Sequence, residues 1–182
     1  TATITTESDL DLYRITTAPA QTITLVNPQG SPVNINLGSL KGGGLFLADG
    51  SVLDVGIHNL HLGHASAINP GQQKGSISVN GGNLKIVSST QSANLYFTPA
   101  QNIMNRLTIG LTGSASAFVR SPLQIFEGIK IAGGTLASEG NVTLMAKADH
   151  TAAIYEIENN GKITGDVTVQ QYLPGRGNVL WY

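Results

Sequence analysis

The chain has 182 residues and a net charge of −1, with only 12% charged residues, 22 glycines and no cysteine. At this length one domain is the default. Such a charge balance gives no electrostatic case for nucleic acid or an anionic membrane as partner, and the lack of cysteine excludes disulfides and thiol chemistry.

No run of about 18 apolar residues is present, so no segment reads as a membrane-spanning helix. No basic-then-apolar signal stands at Thr1. Avoidance of thiols fits an exported protein. The chain ends abruptly on Leu180-Trp181-Tyr182, and it is expected to be a processed or excised piece.

Residues 1–20 read as an N-terminal cap or first strand, with the acidic group Glu7, Asp9 and Asp11. A stacked sheet needs such polar cover at an open edge. Gln21–Val26 alternates as a strand, Asn27-Pro28-Gln29-Gly30 as a turn, and Val33–Leu37 as a strand again. Leu60 and Leu62 of Asn59–Gly63 face one way and His61 the other. Residues 65–75 form a loop around Pro70-Gly71, and residues 88–93 a polar corner. Pro99–Arg106 is the best candidate for a short helical or irregular excursion. Leu107–Leu111, Leu123–Phe126, Asn141–Met145, Ala152–Ile157, Lys162–Thr164 and Asp166–Tyr172 complete the strands. Pro174-Gly175-Arg176-Gly177 closes the set.

Three stretches share one pattern: Leu45–Val52 (LFLADGSV), Ile77–Leu84 (ISVNGGNL) and Ile129–Leu136 (IKIAGGTL). Each alternates, turns on a glycine-containing corner and becomes apolar again. Glycine accepts positive φ at least cost, so Gly50, Gly82 and Gly134 are expected at turns. A longer match runs from Gly44–Leu62 to Gly128–Leu144. Repetition of one strand–corner–strand unit points to a solenoid. The expected fold is all-β, a right-handed parallel β-helix over residues 21–174, with residues 175–182 starting a following segment. An antiparallel β-sandwich, with short hairpins between neighbours, is the alternative.

Asn105–Ile109 (NRLTI), Ser121–Leu123 (SPL), Ile129–Leu136, Asn141–Leu144 (NVTL) and Ile163–Pro174 (ITGDVTVQQYLP) carry a resemblance. The chain resembles β-helical repeat regions of large cell-surface and secreted proteins of Bacteroidota, many of them adhesin-like substrates of the type nine secretion system. Gln171 departs from the basic residue common before the tyrosine. The resemblance implies extracellular or cell-surface display and a structural or adhesive role. It implies as partners the secretion machinery, adjoining domains of the same polypeptide, and surface glycans or other cell-surface proteins. It transfers no catalytic residue.

Among chemistry-bearing groups, His58, His61 and His64 invite a metal, but strand alternation sets His61 against the other two. Glu7–Asp11 lacks a calcium-loop pattern. Asp49 and Asp54, or Glu139 with a neighbour one coil away, are the carboxylates closest to a hydrolase arrangement. Gly42-Gly43-Gly44 opens no phosphate loop. Tyr13, Tyr96, Tyr155, Tyr172, Trp181 and Tyr182 read as core or edge plugs rather than sugar platforms. Thr3, Thr5, Thr22 and Thr24 form two T-x-T pairs, too few for an ice-binding array. The reading is a module with no catalysis, cofactor or metal of its own. A carbohydrate-binding or polysaccharide-degrading β-helix is the alternative.

Overall fold

The computed structural model describes residues 1–38, 43–63, 67–71, 73–87 and 90–173. These residues form 22 strands and no helix. The first coil is β1 (Ala2–Thr5), β2 (Leu10–Leu12) and β3 (Arg14–Thr16). The second is β4 (Thr22–Val26), β5 (Asn34–Leu37) and β6 (Gly44–Phe46). The third is β7 (Val52–Gly56), β8 (Asn59–Leu62) and β9 (Ala67–Ile68). The fourth is β10 (Ser76–Asn80), β11 (Leu84–Val87) and β12 (Ala93–Leu95). In the fifth, β13 (Phe97–Gly110) supplies two faces before β14 (Ser116–Val119). In the sixth, β15 (Leu123–Gly133) does the same before β16 (Thr135–Ala137). The seventh comprises β17 (Val142–Leu144), a hairpin of β18 (Ala146–Lys147) and β19 (His150–Thr151), β20 (Ala153–Ile157) and β21 (Lys162–Thr164). An eighth coil opens with β22 (Val167–Val169).

Each strand pairs in parallel with its counterparts in adjacent coils, and the single antiparallel pair among the described residues is β18 with β19. The chain is therefore a parallel β-solenoid of about seven turns, not a sandwich. Three faces result. Face 1 holds β1, β4, β7, β10, β17, β22 and the N-terminal parts of β13 and β15. Face 2 holds β2, β5, β8, β11, β20 and the C-terminal parts of those two long strands. Face 3 holds the third strand of each coil. Coil length varies, from 19 residues between Leu123 and its partner Val142 to 30 between Thr22 and Val52. Residues 1–16 form a complete first coil, which pairs with the second on all three faces.

The core follows from this register. On face 2 one column runs Leu10, Ile35, Leu60, Leu84, Leu107, Ile129, Ile154. Its partner column runs Leu12, Leu37, Leu62, Ile86, Ile109, Ile131, Ile157. Face 3 contributes Ile15, Leu45, Ile68, Ala93, Ala117, Leu136 and Ile163. The middle members of these columns are buried, whereas Ile154 and Ile157 in the last complete coil are exposed. Each aliphatic side chain taken fully out of water contributes about 1.5–3 kcal/mol. Like stacks on like, coil after coil, so each layer of the interior repeats the packing of the one beneath.

The three glycine corners do lie at turns, but at three different ones. Asp49-Gly50 turns face 3 into face 1, Gly81-Gly82 turns face 1 into face 2, and Gly133-Gly134 turns face 2 into face 3. The shared pattern therefore reports how this chain makes a corner, not where it stands in a coil. For the same reason the match of Gly44–Leu62 to Gly128–Leu144 is one face out of step, since β6 lies on face 3 and Gly128 on face 2. Pro99–Arg106 is not helical. It lies inside β13, where Ile77 pairs with Phe97 but Val79 pairs with Asn102, so extra residues loop outward with Ala100 at φ 63°.

Candidate functional site

Side chains facing outward from the solenoid align along the axis as strictly as those facing inward. On face 2, Asn34 donates through its backbone N–H and Nδ2 to the two carboxylate oxygens of Asp9, both at 2.8 Å. Asn59 Nδ2 donates to Asn34 Oδ1 at 3.0 Å, and Asn83 Nδ2 to Asn59 Oδ1 at 2.8 Å. This is an amide ladder over four coils. It runs in one direction, so its first member needs only acceptors, which an ionised aspartate supplies. Hydrogen bonds from the Asn34 side chain and backbone hold the Asp9 carboxyl below its ordinary pKa. At the other end Asn83 Oδ1 is buried with no donor among the described residues. Arg106, in register above it, turns to Glu127 at 3.0 Å.

A second ladder runs beside the first. Asn36 Nδ2 donates to Asp11 at 2.8 Å, and His61 Nδ1 meets Asn36 Oδ1 at 3.1 Å, which requires the proton on Nδ1. Lys85 and Thr108 continue the column. Burial, and then the nearby Lys85 charge, push the His61 imidazole pKa down against the pull of Asp9. His58 is buried in the corner before β8, where its Nδ1 accepts the Val33 N–H at 3.3 Å. Burial lowers its pKa as well, opposed by a hydrogen bond to the Leu25 backbone and by Asp54. His58 and His61 thus serve separate coil contacts and do not converge. His64 lies outside the described residues. Among those residues no group of three metal-ligating side chains gathers.

The carboxylates are distributed as braces between coils. Asp49 accepts the Lys74 backbone N–H at 3.0 Å, and Asp54 accepts Ser78 Oγ at 2.9 Å. Glu139 pairs with Arg120, which also lies over the Phe118 ring at 4.4 Å. Its neighbour one coil away is thus a base, not a second acid. Glu158 pairs with Lys130 at 2.8 Å, and this bond raises the lysine pKa. Tyr13, Tyr155 and Tyr172 are exposed, and Tyr155 lies beneath Arg106 at 5.3 Å. Trp181, Tyr182 and the Pro174-Gly175-Arg176-Gly177 motif lie outside the described residues, as does Gly42. Of the four threonines, Thr3 stacks on Thr24, whereas Thr5 stacks on Val26 and Thr22 on Val52.

Two adjoining concavities mark one side of the rod. The larger, of about 860 Å³, lies at the corner between faces 2 and 3. Its floor is the short Gly133-Gly134 corner of the sixth coil, and longer corners in the coils on either side raise its walls. Thr112-Gly113-Ser114 forms one wall and Asn159-Asn160 the other. The floor has to be glycine. Gly134 sits at φ +72°, and a Cβ there would lie 2.6 Å from Leu111 Cβ. The smaller concavity, about 490 Å³, lies on face 2 among His61, Asn83, Lys85, Arg106, Lys130 and Glu158. Val87 and Ala132 line both.

Composition and known motifs alone do not mark Asn34, Asn59, Lys85 or Lys162 as site residues. A signal for the ladder was present: asparagine precedes apolar-x-apolar in Asn34–Leu37, Asn59–Leu62 and Asn83–Ile86, at a spacing of one coil. Compared with known proteins, the chain matches no family model, no curated protein and no solved structure.

Proposed function

We propose that this chain is a structural and adhesive β-solenoid module of a large secreted or surface-displayed bacterial protein, without catalysis of its own. The observation that carries the reading is the use of charge. Asp9, Asp11, Asp49, Asp54, Glu127, Glu139 and Glu158 each bind a group in an adjacent coil. A carboxylate engaged in this way stiffens the stack and is poorly placed to act as a free acid or base. The resemblance of the Ile163–Pro174 segment to Bacteroidota surface proteins supports the extracellular placement.

The test is antibody labelling of intact and lysed cells of the source organism, together with polysaccharide digestion by the purified chain. Labelling of intact cells and no new reducing ends are expected. Labelling confined to lysed cells would overturn the surface placement, and release of reducing ends would overturn the non-catalytic reading. The corner concavity favours a second reading, that the module holds a carbohydrate.

A further inference from the structure

We infer that the adjoining concavities from Lys85 across Ala132 to Lys162 form one binding groove for an acidic polysaccharide. This deepens the adhesive part of the reading above, on which it rests.

The groove is built by the fold. Three coils with unequal corners produce it, and its glycine floor admits no side chain without collision with Leu111. Its lining at the corner is hydroxyl and amide, with Thr112, Ser114, Ser116, Thr135, Asn159 and Asn160 arrayed around one space. Dense donors and acceptors on both walls match a polyol, which offers hydroxyls in every direction. They do not match a peptide, which needs apolar anchors or a free strand edge. The strands beneath, β13 and β15, are paired on both sides and offer no edge.

Charge refines the class. Arg106 and Lys130 are neutralised by Glu127 and Glu158, whereas Lys85 and Lys162 make no ion pair among the described residues. They stand in the fourth and seventh coils, three coil spacings of about 4.8 Å apart along the axis, roughly 14 Å. A chain with a carboxylate or sulfate at intervals meets both ammonium groups. A nucleic acid would also need a surface on which its bases stack, and no Phe, Tyr or Trp side chain lines either concavity. Asn83 Oδ1, the unpartnered end of the amide ladder, borders the same groove.

The experiment is affinity electrophoresis of the folded chain through gels holding alginate, chondroitin sulfate or dextran. Alginate or chondroitin sulfate should retard it and dextran should not, and added salt should weaken the retardation. Lys85→Gln with Lys162→Gln should weaken binding at least tenfold. Ser114→Trp, at an exposed wall position, should abolish it, and Lys74→Gln on another corner should leave it unchanged. Circular dichroism checks that each variant is folded. Lack of retardation by either acidic polymer, equal retardation by dextran, or full binding by folded Ser114→Trp would each overturn the groove. Binding that survives Ser114→Trp would leave the adhesive reading standing. Cleavage of a bound polymer would overturn the non-catalytic reading and leave the groove standing.

Discussion

Asn59 is the middle amide of the face-2 ladder, donating to Asn34 Oδ1 and accepting from Asn83 Nδ2. Asn59→Ala leaves Asn34 Oδ1 and Asn83 Nδ2 without their partners in a part-buried setting. A loss of about 1–3 kcal/mol is expected, read from the urea midpoint. The histidines set a pH dependence of definite sign. His58 and His61 have pKa values lowered in the fold from 6.5, so the unfolded chain binds protons more readily. Stability is full above pH 6.5 and falls as pH drops from there toward their folded values. Asp9, lowered from 3.8, adds a second loss in stronger acid, as pH falls below 3.8 through its folded value. Urea titrations from pH 8 to about pH 2 should show both declines. Replacing both histidines by glutamine should flatten the first and leave most of the second, since Asn34 is the main cause of the Asp9 shift.

Among the elements, the corners restrict residue type most sharply. Gly82 and Gly81 separate two reasons for glycine. Gly81 has φ +91° with open space around it, whereas a Cβ on Gly82 would collide with the His58 carbonyl oxygen. Gly81→Ala should cost about 1–2 kcal/mol from backbone conformation. Gly82→Ala should cost roughly 3 kcal/mol or more, since backbone must move. Thermal unfolding of the two variants makes the comparison. The corners were the legible part of the sequence, because a tight turn restricts residue type locally. Alternation likewise exposed the strands, and reuse of the strand–corner unit pointed to a solenoid although its members stand at different corners. What could not be read was which corner each glycine made, since glycine answers a positive φ and a close backbone approach alike. The ladder left its trace in the recurring Asn before apolar-x-apolar. The groove left none, because it arises from differences in corner length between successive coils, which no local residue pattern records.

For the molecule as a whole, the two ends of the stack differ. The two face-2 columns end in exposed Ile154 and Ile157, although Ile163 and Val167 on the other faces pack against the core, whereas at the first coil Ile4, Leu10 and Leu12 all do so. Ile154→Lys should therefore change the unfolding midpoint far less than Ile129→Ala, which removes a fully buried member of the same column. The latter should cost about 2–5 kcal/mol. Chemical denaturation of both tests whether the last complete coil is the soft end.

The parallel register also dictates how the molecule would carry load. Neighbours along the axis are separated by one coil of chain, 19 to 30 residues. Tension applied between the termini loads the outermost coil first, and the coil beneath bears force only after that one lets go. Each release would pay out roughly 65 to 100 Å of contour at about 3.4 Å per residue. A single-molecule extension trace should be a staircase whose step lengths match the individual coils in order from one end. One long extension covering all seven turns would instead mark the solenoid as a single mechanical unit.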